Sequence, residues 1–151
     1  MSRQLPWVHV ELVPLFLQVR SLRRFVRDFC VGMSLRPEYA EHVAMASAEL
    51  LEVAAKGASA QWARYDLRLL GTFTEVSVTS AATLKQRETL LAIVSEICQG
   101  EARDAYAHSL EKSSIDGIAI AGLCRLRHEA AAELALTQSE DEVCLIIRAP
   151  I

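Results

Sequence analysis

The chain has 151 residues, 52% apolar and 23% charged, and its 16 Lys and Arg against 19 Asp and Glu leave a net charge of −3. That length suits one domain, residues 1–151, with a sizeable core, and the composition is that of a globular chain. So small a charge argues against a nucleic-acid partner or an electrostatically held membrane surface.

The opening "MSRQLPWVHVELVPLFLQV" carries arginine and glutamate among its apolar residues. It lacks the basic start, unbroken apolar run and small-residue cleavage site of a signal peptide. No run approaches the ~18 apolar residues of a membrane span, so a cytoplasmic chain without membrane insertion is expected. Cys30, Cys98, Cys124 and Cys144 form no CxxC pair and stand in apolar contexts, which predicts reduced, mostly buried thiols and no zinc site.

"WVHVELV" alternates and is rich in β-formers, so it reads as a strand. Pro14 then opens a helix to about Val31, with Leu15, Val19, Leu22, Val26 and Phe29 as its apolar stripe. Arg20, Arg23, Arg24 and Arg27 fall opposite at 100° per residue. They form either a solvated face or a docking surface for an acidic partner. "GMSLR" breaks the pattern, and a second helix runs from Pro37 to Gly57. "WARYDLRLL" and "FTEVSVTS" make a hairpin around Gly71-Thr72. "LKQRETLLAIVSEICQG" is a helix, with Leu84, Leu91, Val94 and Cys98 expected inward.

"EARDAYAHSLEKS" reads as a shorter helix and "SSIDG" as a loop, with Ser113-Ser114 flexible. "IAIAGLCRLRHEAA" reads as helical despite Gly122, and "AELALTQ" and "EVCLIIRA" close the chain as a hairpin across "SED". His108 and His128 sit in helical stretches without a matching nucleophile, and Trp7 and Trp62 are candidate interface anchors. Sequential strands joined by short turns, with helices between, predict an α+β chain. The expected architecture is a two-layer α/β sandwich, its sheet mixed but mostly antiparallel and its helices on one face.

In "ASAELLEVAAKGA" two glutamates, Glu49 and Glu52, interrupt an apolar helix. With the element order, this stretch resembles the GHKL, or Bergerat-fold, ATPase superfamily of histidine-kinase catalytic domains and gyrase B. The nearest look is to the small anti-sigma-factor serine-kinase-like proteins of bacterial partner-switching systems. The resemblance implies that Glu49 stands at a catalytic glutamate, Val53 at the asparagine that holds Mg²⁺, and Gly57 at a frequent histidine. Mg²⁺ requires oxygen ligands, and valine has none. Glu52, about 100° from Val53 around the helix, reads as a surface residue.

The family's adenine-reading D-x-G-x-G maps onto "VTSAAT", with Ser80 at the aspartate and Ala82 at the first glycine. Its phosphate-loop G-x-G-L maps onto "DGIAIAGL", with Gly117 at the first glycine, Ala119 at the second and Ile120 at the leucine. There Asp116 reads as an N-cap, and "AYAHSLEKSS" matches an ATP lid.

Three altered boxes imply a non-catalytic or weakly active regulatory module acting by protein–protein interaction in bacterial signalling. No cofactor is expected, and the partner is a protein, as a homo- or hetero-dimer. The alternative is an ATP-dependent serine/threonine kinase with a divergent nucleotide site, Mg-ATP as cofactor and Glu49 as base.

Overall fold

The computed structural model describes residues 7–112 and 114–151. The sequence readings on residues 1–6 and on Ser113 lie outside them. In chain order the elements are β1 (Trp7–Leu12), α1 (Phe16–Gly32), α2 (Pro37–Gly57), β2 (Ala63–Leu69), β3 (Phe73–Ala81), α3 (Leu84–Ile97) and α4 (Ala102–Glu111). Then come β4 (Ser114–Ile115), β5 (Ile118–Ala119), α5 (Ala121–Glu129), β6 (Glu133–Gln138) and β7 (Glu142–Pro150).

Five strands form one sheet in the order β1-β2-β3-β7-β6. Every pairing in it is antiparallel, in keeping with the mostly antiparallel sheet expected. Period-two alternation decides the faces. Tyr65, Leu67, Val76, Val78, Leu145 and Ile147 point into the helical layer and are buried. The opposite face is polar. One row crosses all five strands as Trp7, Arg68, Glu75, Arg148 and Glu133, and Arg148 Nε donates to Glu75 Oε2 at 2.8 Å. The chain is thus a two-layer α+β sandwich with its core between the sheet and the helices.

α2 is the central helix. It touches β2, β3 and β7 below and α1, α3 and α5 around it. Pro37 fits its first turn, where the missing N–H has no intrahelical partner to lose. Inside the core, Ser47 Oγ bonds the Val43 carbonyl at 2.8 Å and the Tyr65 hydroxyl at 2.8 Å. Burial pushes the Tyr65 hydroxyl pKa up, and it pushes the Cys30 thiol up to about 11. Both groups therefore stay neutral.

Three local readings are corrected. α1 begins at Phe16 and buries Val19, Leu22, Val26 and Cys30; Leu15 is its exposed cap and Phe29 only half-buried. α3 turns Leu90, Ile93 and Ile97 inward and leaves Leu84, Leu91 and Cys98 exposed. The doublets Leu90-Leu91 and Ile93-Val94 support two stripes about 100° apart, and Gly57 selects the one that uses Leu90. Finally, Ile118 and Ala119 are not helical. They pair with Ile115 and Ser114 as a small hairpin, and the helix starts at Ala121. Asp116 and Gly117 have φ of 51° and 77°, the sign pattern of a two-residue type I′ turn. Asp116 is therefore a turn residue and not a helix cap.

Of the thiols, Cys30 and Cys124 are buried, Cys144 is half-buried and Cys98 is exposed.

Candidate functional site

Glu49, Val53 and Gly57 are spaced by four, so they line one face of α2. At the Gly57 end that face is shut. A Cβ placed on Gly57 would lie 2.5 Å from Leu90 Cδ2 and 3.0 Å from Ile118 Cδ1. The glycine lets α3 and β5 close directly on the helix. Val53, one turn earlier, is 2% exposed. The side chains that close on Gly57 are those of Leu90 and Ile118, and Val53 is itself apolar; none of these ligates a hard cation. Among the described residues no three His, Cys, Asp or Glu side chains gather as a metal site.

The Glu49 end is different. A Cβ on Gly122 would overlap the Glu49 carboxyl, so that carboxyl rests against the first turn of α5, and a larger residue at position 122 would push it aside. Beside it opens a depression of about 280 Å³ walled by Arg23, Met45, Tyr106, Leu110 and Arg125. Burial, then the neighbouring Glu52 charge, raise the Glu49 pKa above its usual value, against opposing pulls from Arg23 and Lys56. Glu52 itself is exposed. Gly122 escaped the sequence reading as a site residue. Read within a helix that begins at Ile118, Gly122 is an interior glycine that calls for a packing reason; in the structure it is the second residue of α5.

The other sequence-predicted positions do not converge on this depression. Ser80 is fully buried on the inner face of β3, and its Oγ has no hydrogen-bond partner among the described residues. Ala82 is buried and its N–H donates to the Asp141 carbonyl at 2.9 Å. It ties β3 to the β6–β7 turn. Arg87 reinforces that tie by donating to the carbonyls of Ala82, at 3.1 Å, and of Glu140. Gly117 and Ala119 are exposed on the small hairpin, and Ile120 is the buried residue that caps α5. A loop of glycine N–H groups opening a helix, the geometry that cradles phosphate, is not built from Gly117 here.

The four arginines of α1 are exposed and divide by role. Arg27 is engaged by Glu41 of α2 at 2.6 Å. Arg23 faces the Glu49 depression. Arg20 and Arg24 make no ion pair among the described residues. His108 and His128 are exposed, and His128 stacks on Tyr106 with ring centroids 5.7 Å apart. Trp7 is exposed and Trp62 half-buried.

No protein-family model matches the sequence, and no curated protein matches it. Solved structures do match by shape. A chain in the crystal structure of the SiaB–SiaC complex from Pseudomonas aeruginosa superposes with a TM-score of 0.67 at 14% identity. The match spans 95% of this chain and 89% of that chain. At that identity the likeness establishes the shared fold.

Proposed function

We propose that the chain is a regulatory module of the histidine-kinase-like ATPase fold, acting by protein–protein contact in a bacterial partner-switching pathway, with catalysis lost or weak. The observation that carries this reading is the sealed face of α2. Val53 is buried where the resemblance implies a metal ligand, and Leu90 and Ile118 close on Gly57. A nucleotide phosphate with its Mg²⁺ would have to displace packed apolar side chains, and valine returns no oxygen to the cation. The similar fold of a chain in a two-protein complex supports a protein partner. So do the exposed Arg20 and Arg24, whose planar forks suit carboxylates on an acidic surface.

One observation favours the kinase reading: the Glu49 carboxyl borders an open depression and its pKa is raised, as suits a general base. Titration calorimetry and thermal melts with Mg-ATP separate the two. Any ligand of the native state raises its melting temperature by mass action. The regulatory reading expects no heat of binding and an unchanged melt at millimolar Mg-ATP. A saturable shift, abolished in Glu49→Ala together with phosphate transfer to a protein substrate, overturns it.

A further inference from the structure

One row of directly opposed residues on the open face of the sheet runs Arg64 on β2, Thr79 on β3, Cys144 on β7 and Thr137 on β6. All four line a depression of about 250 Å³. Arg64 reaches across β3, for its Nη2 lies 3.7 Å from Glu142 Oε2. Glu142 stands two residues before Cys144 on the same face of β7. The guanidinium is thus held over the row, beside the thiol. At 3.7 Å the Glu142 pairing is loose, and a guanidinium has five donors to offer. Thr79 points outward with this row, because Val78 and Ser80 on either side of it are the buried inward residues. It is nonetheless only 9% exposed. Its hydroxyl enters no side-chain hydrogen bond among the described residues. A polar side chain so deeply buried without a partner calls for one, and Thr79 lines the depression from which a guest would supply it.

The side chains present narrow the guest. Cys144 is half-buried and borders the depression. Thr79 and Thr137 flank it at cross-strand distance, about 4.5–5.5 Å between Cβ atoms. The planar fork of Arg64 suits a carboxylate, and the Gln138 amide on the rim both donates and accepts. We propose that Cys144 is a site of thiol–disulfide exchange with a small disulfide that bears carboxylates, of the glutathione class, held by Arg64 and the Thr79 hydroxyl. The Cys144 sulfur attacks one sulfur of the guest. The guest's S–S bond breaks as the mixed disulfide forms, and the departing thiolate takes the proton that left Cys144. The guest is reduced as Cys144 is oxidised, so no further oxidant enters. The other thiols are less suited. Cys30 and Cys124 are buried, and the exposed Cys98 turns its Sγ to the Leu134 carbonyl at 3.5 Å. Burial pushes the pKa of all three up, which lowers the fraction of attacking thiolate. The depression lies on the sheet face away from the helices, so the proposal is independent of the Glu49 depression and of the function proposed above.

Mass spectrometry of the full chain tests it, after incubation with glutathione disulfide at about pH 8, where thiolate is present. The expected result is one adduct, mapped to Cys144, reversed by dithiothreitol and absent from Cys144→Ser. The role of Arg64 is read by comparing two reagents, glutathione disulfide and the uncharged bis(2-hydroxyethyl) disulfide. Arg64→Ala should lower the rate with the first, relative to the second, by about fivefold. Arg64→Lys, which keeps the charge, should retain most of the preference. Thr79→Val keeps the side-chain shape without the hydroxyl and should slow exchange with glutathione disulfide. An adduct on Cys98 ahead of Cys144 overturns the proposal. So does an equal loss with both reagents in Arg64→Ala, because that would make the arginine a support of the strand and not a holder of the guest.

Discussion

Val53→Asn restores the side chain that the resemblance implies for Mg²⁺, at a position 2% exposed on the central helix. The change removes the isopropyl group of a buried valine, worth about 1.5–2 kcal/mol of burial. It also introduces an amide into the buried apolar core, where an unpaired polar group costs about 1–3 kcal/mol. Together the loss is about 2.5–5 kcal/mol. For a chain of 151 residues that corresponds to a fall of about 10 °C in Tm. Urea denaturation with and without millimolar Mg-ATP is the assay. Val53→Ala, which opens a cavity without adding the amide, should lose less. The expectation is a large loss that nucleotide does not restore, because Leu90 and Ile118 still close on Gly57. A loss under ~1 kcal/mol, or recovery of stability with Mg-ATP by mass action, would falsify the sealed-cleft reasoning.

Glu49→Gln should stabilise the fold at neutral pH. The folded pKa of Glu49 lies above its ordinary value of 4.5, so the folded state holds the proton more tightly than the unfolded one. Its contribution is fully favourable below the unfolded pKa and is lost as pH rises through the folded pKa. The gain from glutamine should therefore be present at pH 7 and vanish below about pH 4.5, and an equal gain at both pH values sinks the assignment. Ser80→Ala should be neutral or stabilising by up to ~1 kcal/mol, since it removes a buried hydroxyl that has no partner. Ser80→Asp, which restores the family's carboxylate, should destabilise severely because it buries an unpaired charge. Arg127 donates to the carbonyls of Ile97 and Gln99, each at 3.1 Å, and of Gly100, closing the end of α3. Arg127→Ala should cost about 2 kcal/mol and speed amide exchange in residues 98–101; protection there as in the parent would refute the clamp.

The layer architecture was legible because strands of period two and helices with one apolar stripe leave few ways to bury both faces. α2 was the clearest element, with Pro37 opening it and Gly57 ending it. What the sequence hid were choices made by tertiary packing. The α3 doublets allow two stripes, and Gly57, some 30 residues earlier in the chain, admits Leu90 and decides between them. "SSIDGIAI" also reads as the lead-in to a helix, yet Asp116 and Gly117 at positive φ fold it into a hairpin. Of the site, the alignment of Glu49, Val53 and Gly57 on one helix face follows from spacing alone. That Glu49 would meet Gly122 does not, because it depends on where α5 begins, and Ile118 and Ala119 had to leave the helix for that start to be visible.

The two glycines flanking this interface do opposite work. Gly57 admits Leu90 and Ile118, so close approach there removes apolar surface from water and gains stability at about 25 cal/mol per Å². Gly122 admits a carboxyl whose charged form is disfavoured by its surroundings, so close approach there costs free energy at neutral pH. Of these two contacts, the one at Gly57 is favourable and the one at Gly122 is unfavourable at neutral pH. Local opening draws on the least stable contacts, so backbone amides at the start of α5, beside Glu49, should exchange faster than those around Gly57, and equal protection at the two places would refute this ordering.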